Sequence, residues 1–313
     1  MRRWAPVSQF LGSTLGVSSP HAAPPPPPPP TPTPPPPPPS EPLIPSPTDF
    51  ARSLGFSPDP DQQQILNAII PRGILNCSRQ WGKSTITALK AVHRAIYHPE
   101  SLVLVISPSG RQSATFLEKA RQFVLKLGQK PKGDGHNDIS ISFPNGSKIV
   151  GLPSVEGTIR GFSSVSLLII DEASRVDDKI YHAVRPMMAA SAATKSHPAF
   201  PATPECWLIS TPHGCRGFFY DEWNRHQADP PWARFSITAA ECSRIDPKWL
   251  AEEQSIMPAP LFRQEYCCEF VKDGENNSFF PWRDLEAAYD DNVSPLFDKP
   301  HNYTVWARTG GYL

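Results

Sequence analysis

Short apolar runs alternate along this chain with longer stretches in which apolar residues recur every three or four positions, the periods of strand and helix respectively. An apolar run from Ile74, then Leu102–Ser107, Ser166–Asp171, Glu205–Ser210 and Ala233–Thr238 read as strands. Helical patterns occupy Thr48–Gly55, Asp59–Ile70, Thr85–Tyr97, Arg111–Gly128, Asp178–Ala190, Phe218–His226, Pro247–Glu253 and Pro258–Cys267. The clearest is Arg111–Gly128, where Phe116, Ala120, Phe123, Val124 and Leu127 fall on one face. Asp138–Leu152 predicts a hairpin that turns at Pro144-Asn145-Gly146-Ser147, and Ser191–Pro204 a loop. Strands separated by helices predict an α/β fold: a mostly parallel sheet flanked by helices on both faces, with its ligand at the carboxyl ends of the strands.

Two places in this pattern carry chemistry. Ile74 to Thr85 reads ILNCSRQWGKST, an apolar strand, a polar loop ending in Gly82-Lys83-Ser84-Thr85, then a helix. Backbone N–H groups at such a helix start point at an anion, a lysine reaches the β/γ-phosphates of a nucleotide, and a serine holds Mg²⁺. Cys77 stands where the usual pattern has its first glycine, and a bare Gly-Lys-Ser is also compatible with an ordinary polar turn. The second place is Ser166 to Glu172, SLLIIDE, a buried strand ending in two carboxylates. A phosphate-loop enzyme places its metal ligand and its water-activating base there. In this order the two elements predict an ATPase.

The motifs resemble those of the large terminase subunit of tailed bacteriophages, the DNA-packaging motor. The resemblance is carried by Ser78-Arg79-Gln80-Trp81-Gly82-Lys83-Ser84, Gln62 or Gln63 upstream, Ile159-Arg160-Gly161, Asp171-Glu172-Ala173 and Ser210-Thr211-Pro212-His213-Gly214, and it covers about residues 48 to 290. It implies a phosphate-loop NTPase of the ASCE type that uses ATP and Mg²⁺. Residues Ser78 to Thr85 would bind the nucleotide, with Ser84 and Asp171 at the metal and Glu172 orienting and deprotonating the attacking water. Gln62 or Gln63 would recognise the adenine edge, a task that suits an amide because it donates and accepts at once. Arg79 would supply positive charge from within its own loop and Arg160 would reach a neighbouring subunit, arginine being always ionised and bidentate. Ser210 and Thr211 would couple hydrolysis to movement. Implied partners are double-stranded DNA, further copies in a ring, a portal and a small terminase subunit.

Composition narrows the rest. Fourteen of the sixteen residues Pro24 to Pro39 are proline, so residues 1 to 47 predict a Pro-rich disordered tail, extending roughly 50 Å at about 3.1 Å per residue in polyproline II. The remainder, 48–275, is the predicted ATPase domain. Formal net charge is zero, which excludes a uniformly basic nucleic-acid coat and leaves local patches. One such patch carries Arg111, Lys119, Arg121, Lys126, Lys130 and Lys132 against Glu118, either a solvated helix face or a track for a phosphate backbone. The six cysteines show no zinc-type spacing, and no apolar stretch has the length of a membrane span. Both point to a reducing cytoplasm, which the resemblance makes that of a bacterial host.

Residues 276–313 resemble the bridge into the family's nuclease domain and the truncated start of that domain. The predicted strand from His301 to Val305 and the residues after it bring no carboxylate, whereas a two-metal nuclease needs several. The expectation is a packaging ATPase without DNA cleavage by residues 1–313, the reading frame shifted or cut after Val305. A helicase-like translocase or repair ATPase, and a prophage remnant that only binds nucleotide, are the alternatives.

Overall fold

The computed structural model describes residues 44–136, 139–159, 161–193, 203–228 and 230–272. Seven strands, β1 (Arg72–Cys77), β2 (Leu102–Ser107), β3 (Ser140–Ser142), β4 (Lys148–Pro153), β5 (Val165–Asp171), β6 (Glu205–Ser210) and β7 (Ala233–Ile237), form one sheet in the order β3-β4-β2-β5-β6-β1-β7. All neighbours are parallel except β3, which returns antiparallel on β4 as the short arm of the predicted hairpin. The fold is the mostly parallel α/β sheet that the alternation predicts.

Helices α1 (Pro47–Ser53), α2 (Pro60–Asn67), α3 (Lys83–Tyr97) and α4 (Gly110–Lys126) cover one face. They pack on Leu75, Cys77, Val103, Val105, Leu167, Ile169, Trp207 and Ile209. The intervening strand residues, Ile74, Leu104, Ile106, Leu168, Ile170, Cys206 and Leu208, point the other way. There they meet Ile159 of the short helix α5 (Glu156–Ile159), α6 (Asp178–Val184) and α7 (Gly217–Asn224). The period-two alternation of a strand thus feeds two cores at once, and β5, buried along its whole length, reads as an unbroken apolar run for that reason. Two more helices, α8 (Pro247–Ile256) and α9 (Ala259–Tyr266), follow β7; Phe262 and Tyr266 pack with Ala239 in a small third cluster.

The predicted helix over Asp178–Ala190 is shorter. The α-helix ends at Val184 and the chain continues as 3₁₀ turns over Arg185–Ala193, with Arg185 still in right-handed helical geometry at φ −54° and ψ −44°; Pro186, which has no N–H, cannot make the next bond of the α-helical ladder. Residues 1–43 of the expected disordered tail and the region from 276 onward lie outside the described residues; the last four residues of that predicted tail are ordered, with Pro45 O 2.9 Å from His93 Nε2, Ser46 capping α1 and Pro47 opening it.

At the amino edge of the sheet Glu205 is buried among cations. It pairs with Lys90 at 3.2 Å and with Arg94, and accepts from Trp207 Nε1 at 2.9 Å. Lys90 also donates to the carbonyls of Leu66 and Ala68 and lies 4.9 Å from the Trp207 ring centre. Burial pulls the Lys90 ammonium down and Glu205 pushes it back up. Removing the carboxylate of this cluster leaves buried cations uncompensated. Glu205→Gln is therefore expected to cost about 3–5 kcal/mol in denaturant unfolding; a loss under about 1 kcal/mol would show the cluster to be well solvated.

Candidate nucleotide site

Parallel pairing brings the chemistry to one edge. Asn76 near the end of β1 is opposite Ser210 at the end of β6, and Ile209 of β6 is opposite Asp171 at the end of β5. The predicted phosphate loop and the acidic strand are thus separated by one strand, whose own end carries the Ser210-Thr211 motif. Residues distant in sequence become neighbours because three strands stop at the same level.

The loop from Ser78 to Gly82 turns through two left-handed residues, Gln80 at φ 65° and Gly82 at φ 101°. Gly82 is the N-cap of α3 and offers no side chain to the first-turn amides, so an anion can take that place. Lys83 is buried, and its Nζ donates to Cys77 O at 2.8 Å and Ser78 O at 3.0 Å, holding the ammonium under the loop. Ser84 Oγ donates to Asp171 Oδ1 at 3.2 Å, which joins the two predicted metal-holding groups directly. A hydroxyl and a carboxylate in contact form an oxygen donor pair suited to a hard cation such as Mg²⁺. Among the described residues, the buried oxygens Asn76 Oδ1, Ser78 Oγ and Ser107 Oγ, all at strand ends or just beyond, have no protein partner. Such orphans fit a site that receives a polar ligand or water.

Asp171 is buried, and its carboxyl is pushed up to about 6, first by burial and then by neighbouring Glu172; Lys119, Ser84 and Lys83 act in the opposite direction. Glu172 itself is half-buried and adopts a left-handed backbone at φ 52°. Its Oε2 accepts from Arg175 Nη1 at 3.1 Å and lies 3.5 Å from Ser210 Oγ. Ser210 Oγ is in turn 2.7 Å from Ser174 Oγ, and Thr211 Oγ1 accepts from Arg175 at 3.4 Å. Glu172, Ser210 and Thr211 therefore share one polar network.

The remaining predicted residues divide. Gln62 reaches the loop, its Nε2 donating to Trp81 O at 3.2 Å while its Oε1 caps α2. Gln63 turns instead to Pro58 O and Arg52, so of the two glutamines only Gln62 stands against the loop. The Trp81 ring is buried in the core between the sheet and α1–α4; this residue meets the loop's surroundings through its carbonyl, which also accepts from Arg244. Gln80 is exposed, and Thr85 lies in the first turn of α3 with its amide on Gly82 O. The Arg79 side chain is 63% exposed and rests on Glu265 at 3.3 Å. Arg160 lies outside the described residues.

Sequence reasoning passed over Arg175, Arg244 and Glu265. Arg175 had a local signal, three positions after Glu172; the others are more than 150 residues from the loop they touch. The basic stretch also divides. Arg111 and Lys119 line an open cleft of about 690 Å³ that begins at Thr85, while Arg121 donates to Ser140 O and Lys126 lies over the Phe123 ring.

The sequence matches the family described as terminase large subunit, T4likevirus-type, N-terminal, over residues 74–286. The chain belongs to the terminase large-subunit family. Relatives of this terminase chain include the large terminase subunits of Thermus phage G20c and Thermus virus P23-45. Each is 24% identical over an alignment covering 76% of this chain and 54% of the relative. The chain spans about half the length of these curated relatives. Among solved structures, the large terminase ATPase domain of Thermus phage P74-26 superposes with a TM-score of 0.54 at 21% identity, covering 71% of this chain and 98% of that one. The HK97 bacteriophage large terminase gives 0.55 at 19%, covering 71% and 55%. The large terminase of another thermophilic bacteriophage, in complex with ADP, gives 0.53 at 12%, covering 71% and 52%. This terminase chain therefore has the phosphate-loop fold of those ATPase domains. No helix among its described residues is long and apolar enough to cross a membrane.

The raised Asp171 has a pH signature. The folded chain holds this proton more tightly than the unfolded chain, so stability falls as pH rises from about 4 to about 6 and the cost is complete above that. With a chelator present, Asp171→Asn is expected to raise unfolding stability at about pH 8 by up to roughly 3 kcal/mol, and by much less near pH 4.5. Equal effects at both values in thermal melts would show that Asp171 is not ionising in a buried setting.

Proposed function

We propose that this chain hydrolyses ATP with Mg²⁺ as the motor half of a phage-type large terminase and uses the energy to move double-stranded DNA. The observation that carries the reading is the contact of Ser84 Oγ with Asp171 Oδ1 beside the buried Lys83. It brings the phosphate loop and the acidic strand to one point. Lys83, Ser84 and the uncapped start of α3 would hold the phosphates, and Ser84 with Asp171 would hold Mg²⁺, which when bound neutralises charge on the β- and γ-phosphates. Glu172 would take the proton of the attacking water, and Arg79 would bring positive charge to the transferring phosphoryl group. Arg160 is the candidate for a cation acting across a ring of copies. Gln62 braces the loop from α2, and its amide is the candidate contact for the adenine edge. Ser210 and Thr211, in the network of Glu172, would sense the state of the site. The partners in this reading are duplex DNA, further copies of the chain, a portal and a small terminase subunit, in a bacterial host's cytoplasm.

Steady-state ATP turnover tests it. The chain is expected to hydrolyse ATP, faster with duplex DNA, and to stop when the metal is chelated. Lys83→Ala and Glu172→Gln should each lower turnover by about 10²-fold or more, the range for loss of a general base or of charge stabilisation. Wild-type rates in Glu172→Gln would overturn the assignment of the base. Stronger stimulation by single strands than by duplex would favour a helicase-like translocase.

A further inference from the structure

The polar contacts around the site converge on the last turn of α9. Glu265 is buried, and its two carboxylate oxygens face two arginines: Oε1 accepts from Arg175 Nη2 at 3.0 Å, and Oε2 lies 3.3 Å from Arg79 Nε. The backbone repeats the link, Arg79 N donating to Glu265 O at 3.1 Å. The residue before it, Gln264, is also buried and accepts from Gly214 N at 3.2 Å. Just beyond, Cys268 O accepts from Asn76 Nδ2 at 2.8 Å. A few residues of α9 and its C-terminal end thus touch the phosphate loop, the end of β1, the turn after the acidic strand and the loop after β6.

The side chains form a line of alternating charge, Arg79–Glu265–Arg175–Glu172. Removing an inner member leaves its neighbours without their counter-charge, so the four groups hold one another in place. A general base must stand within hydrogen-bond reach of its proton, and a misplacement of about 1 Å can cost on the order of 10²-fold in rate. Glu172 has a long, rotatable side chain; Arg175 fixes its Oε2 and touches Thr211 with the same nitrogen. Arg79, mostly exposed, meets Glu265 Oε2 as an ion pair without a hydrogen bond, while its backbone N–H is held by Glu265 O.

We propose that Glu265 and Arg175 are positioning residues for hydrolysis: Glu265 stations Arg79 and Arg175, and Arg175 orients the carboxylate of Glu172. The inference rests on the ATPase reading above. A pair that served only to pack α9 against the sheet would affect folding and nucleotide binding but not the turnover of bound nucleotide.

The test combines steady-state turnover with binding of a fluorescent ADP analogue and thermal melts on the full chain. Arg175→Ala, Glu265→Ala and the volume-conserving Glu265→Gln are expected to lower kcat about tenfold or more, with affinity for the analogue within about threefold of wild type. Arg175→Lys should not restore turnover, because one ammonium cannot span two carboxylates and a hydroxyl as the guanidinium fork does. Arg175→Ala combined with Glu265→Gln should be little worse than either alone, since both break the same line. Arg263→Gln, on the same helix and paired at the surface with Glu269 at 2.7 Å, should turn over like wild type. Wild-type kcat in the Arg175 and Glu265 variants of an active chain would overturn the inference and leave the ATPase reading standing. So would a loss of kcat that only tracks losses in melting temperature and nucleotide affinity. A wild-type chain that neither binds nor hydrolyses nucleotide would overturn both.

Discussion

Everything at the site depends on the parallel register of β1, β6 and β5. Parallel strands run in one direction, so their carboxyl ends share an edge, and three segments far apart in sequence deliver Cys77, Ser210 and Asp171 to it. Each strand is buried along nearly its whole length, and a slip of one residue would swap the residues feeding the two cores. Apolar alternation that has no chemical role of its own therefore fixes where the chemistry stands. Glu205, at the opposite end of β6, adds a second constraint: its pairs with Lys90 and Arg94 tie α3, the helix that begins at the phosphate loop, to the foot of the strand that ends in Ser210.

The arrangement holds unfavourable local states in place. Gln80 and Glu172 adopt left-handed backbone, which costs a residue with a Cβ on the order of 1–3 kcal/mol each. Asp171 is kept in a setting that disfavours its charge. Such states persist only when the surroundings determine them, and here two packed cores and the contacts of α9 do so. A site of this kind gains when a cation and a phosphate arrive, since Asp171 then has a counter-charge and the start of α3 an anion.

The fold was legible because its signal is periodic and local: strand-length apolar runs, amphipathic helices and a Gly-Lys-Ser helix start. The loop, Asp171, Glu172 and Ser210 were legible as motifs, since each lies at a strand end that can be marked without knowing the sheet order. What was not legible is what joins them. Trp81 sits inside the predicted nucleotide-binding motif, yet its ring belongs to the core; a motif assigns a segment to a site without saying which way each side chain turns. Gln62 and Gln63 are adjacent on a helix and differ by about 100° in direction, which composition does not separate. The 3₁₀ continuation after Val184 coincides with Pro186, which withdraws one N–H from the helical ladder.

Glu265 shows why the remainder was hidden. It lies on a short helix of ordinary appearance, APLFRQEY, where a glutamate near the end reads as a solvated charge. Its partners are 90 and 186 residues away, at Arg175 and Arg79, and no spacing rule connects them. Yet its burial is informative. A carboxylate loses several kcal/mol of hydration when buried and is stable there only with close counter-charges. Two arginines supply them, and each also belongs to a part of the site named by its own motif, the phosphate loop and the acidic strand. Neither arginine can shift far without leaving Glu265 undercompensated. A displacement of α9 would therefore be felt at both motifs together. Through this carboxylate α9 is physically linked to the groups that would perform hydrolysis.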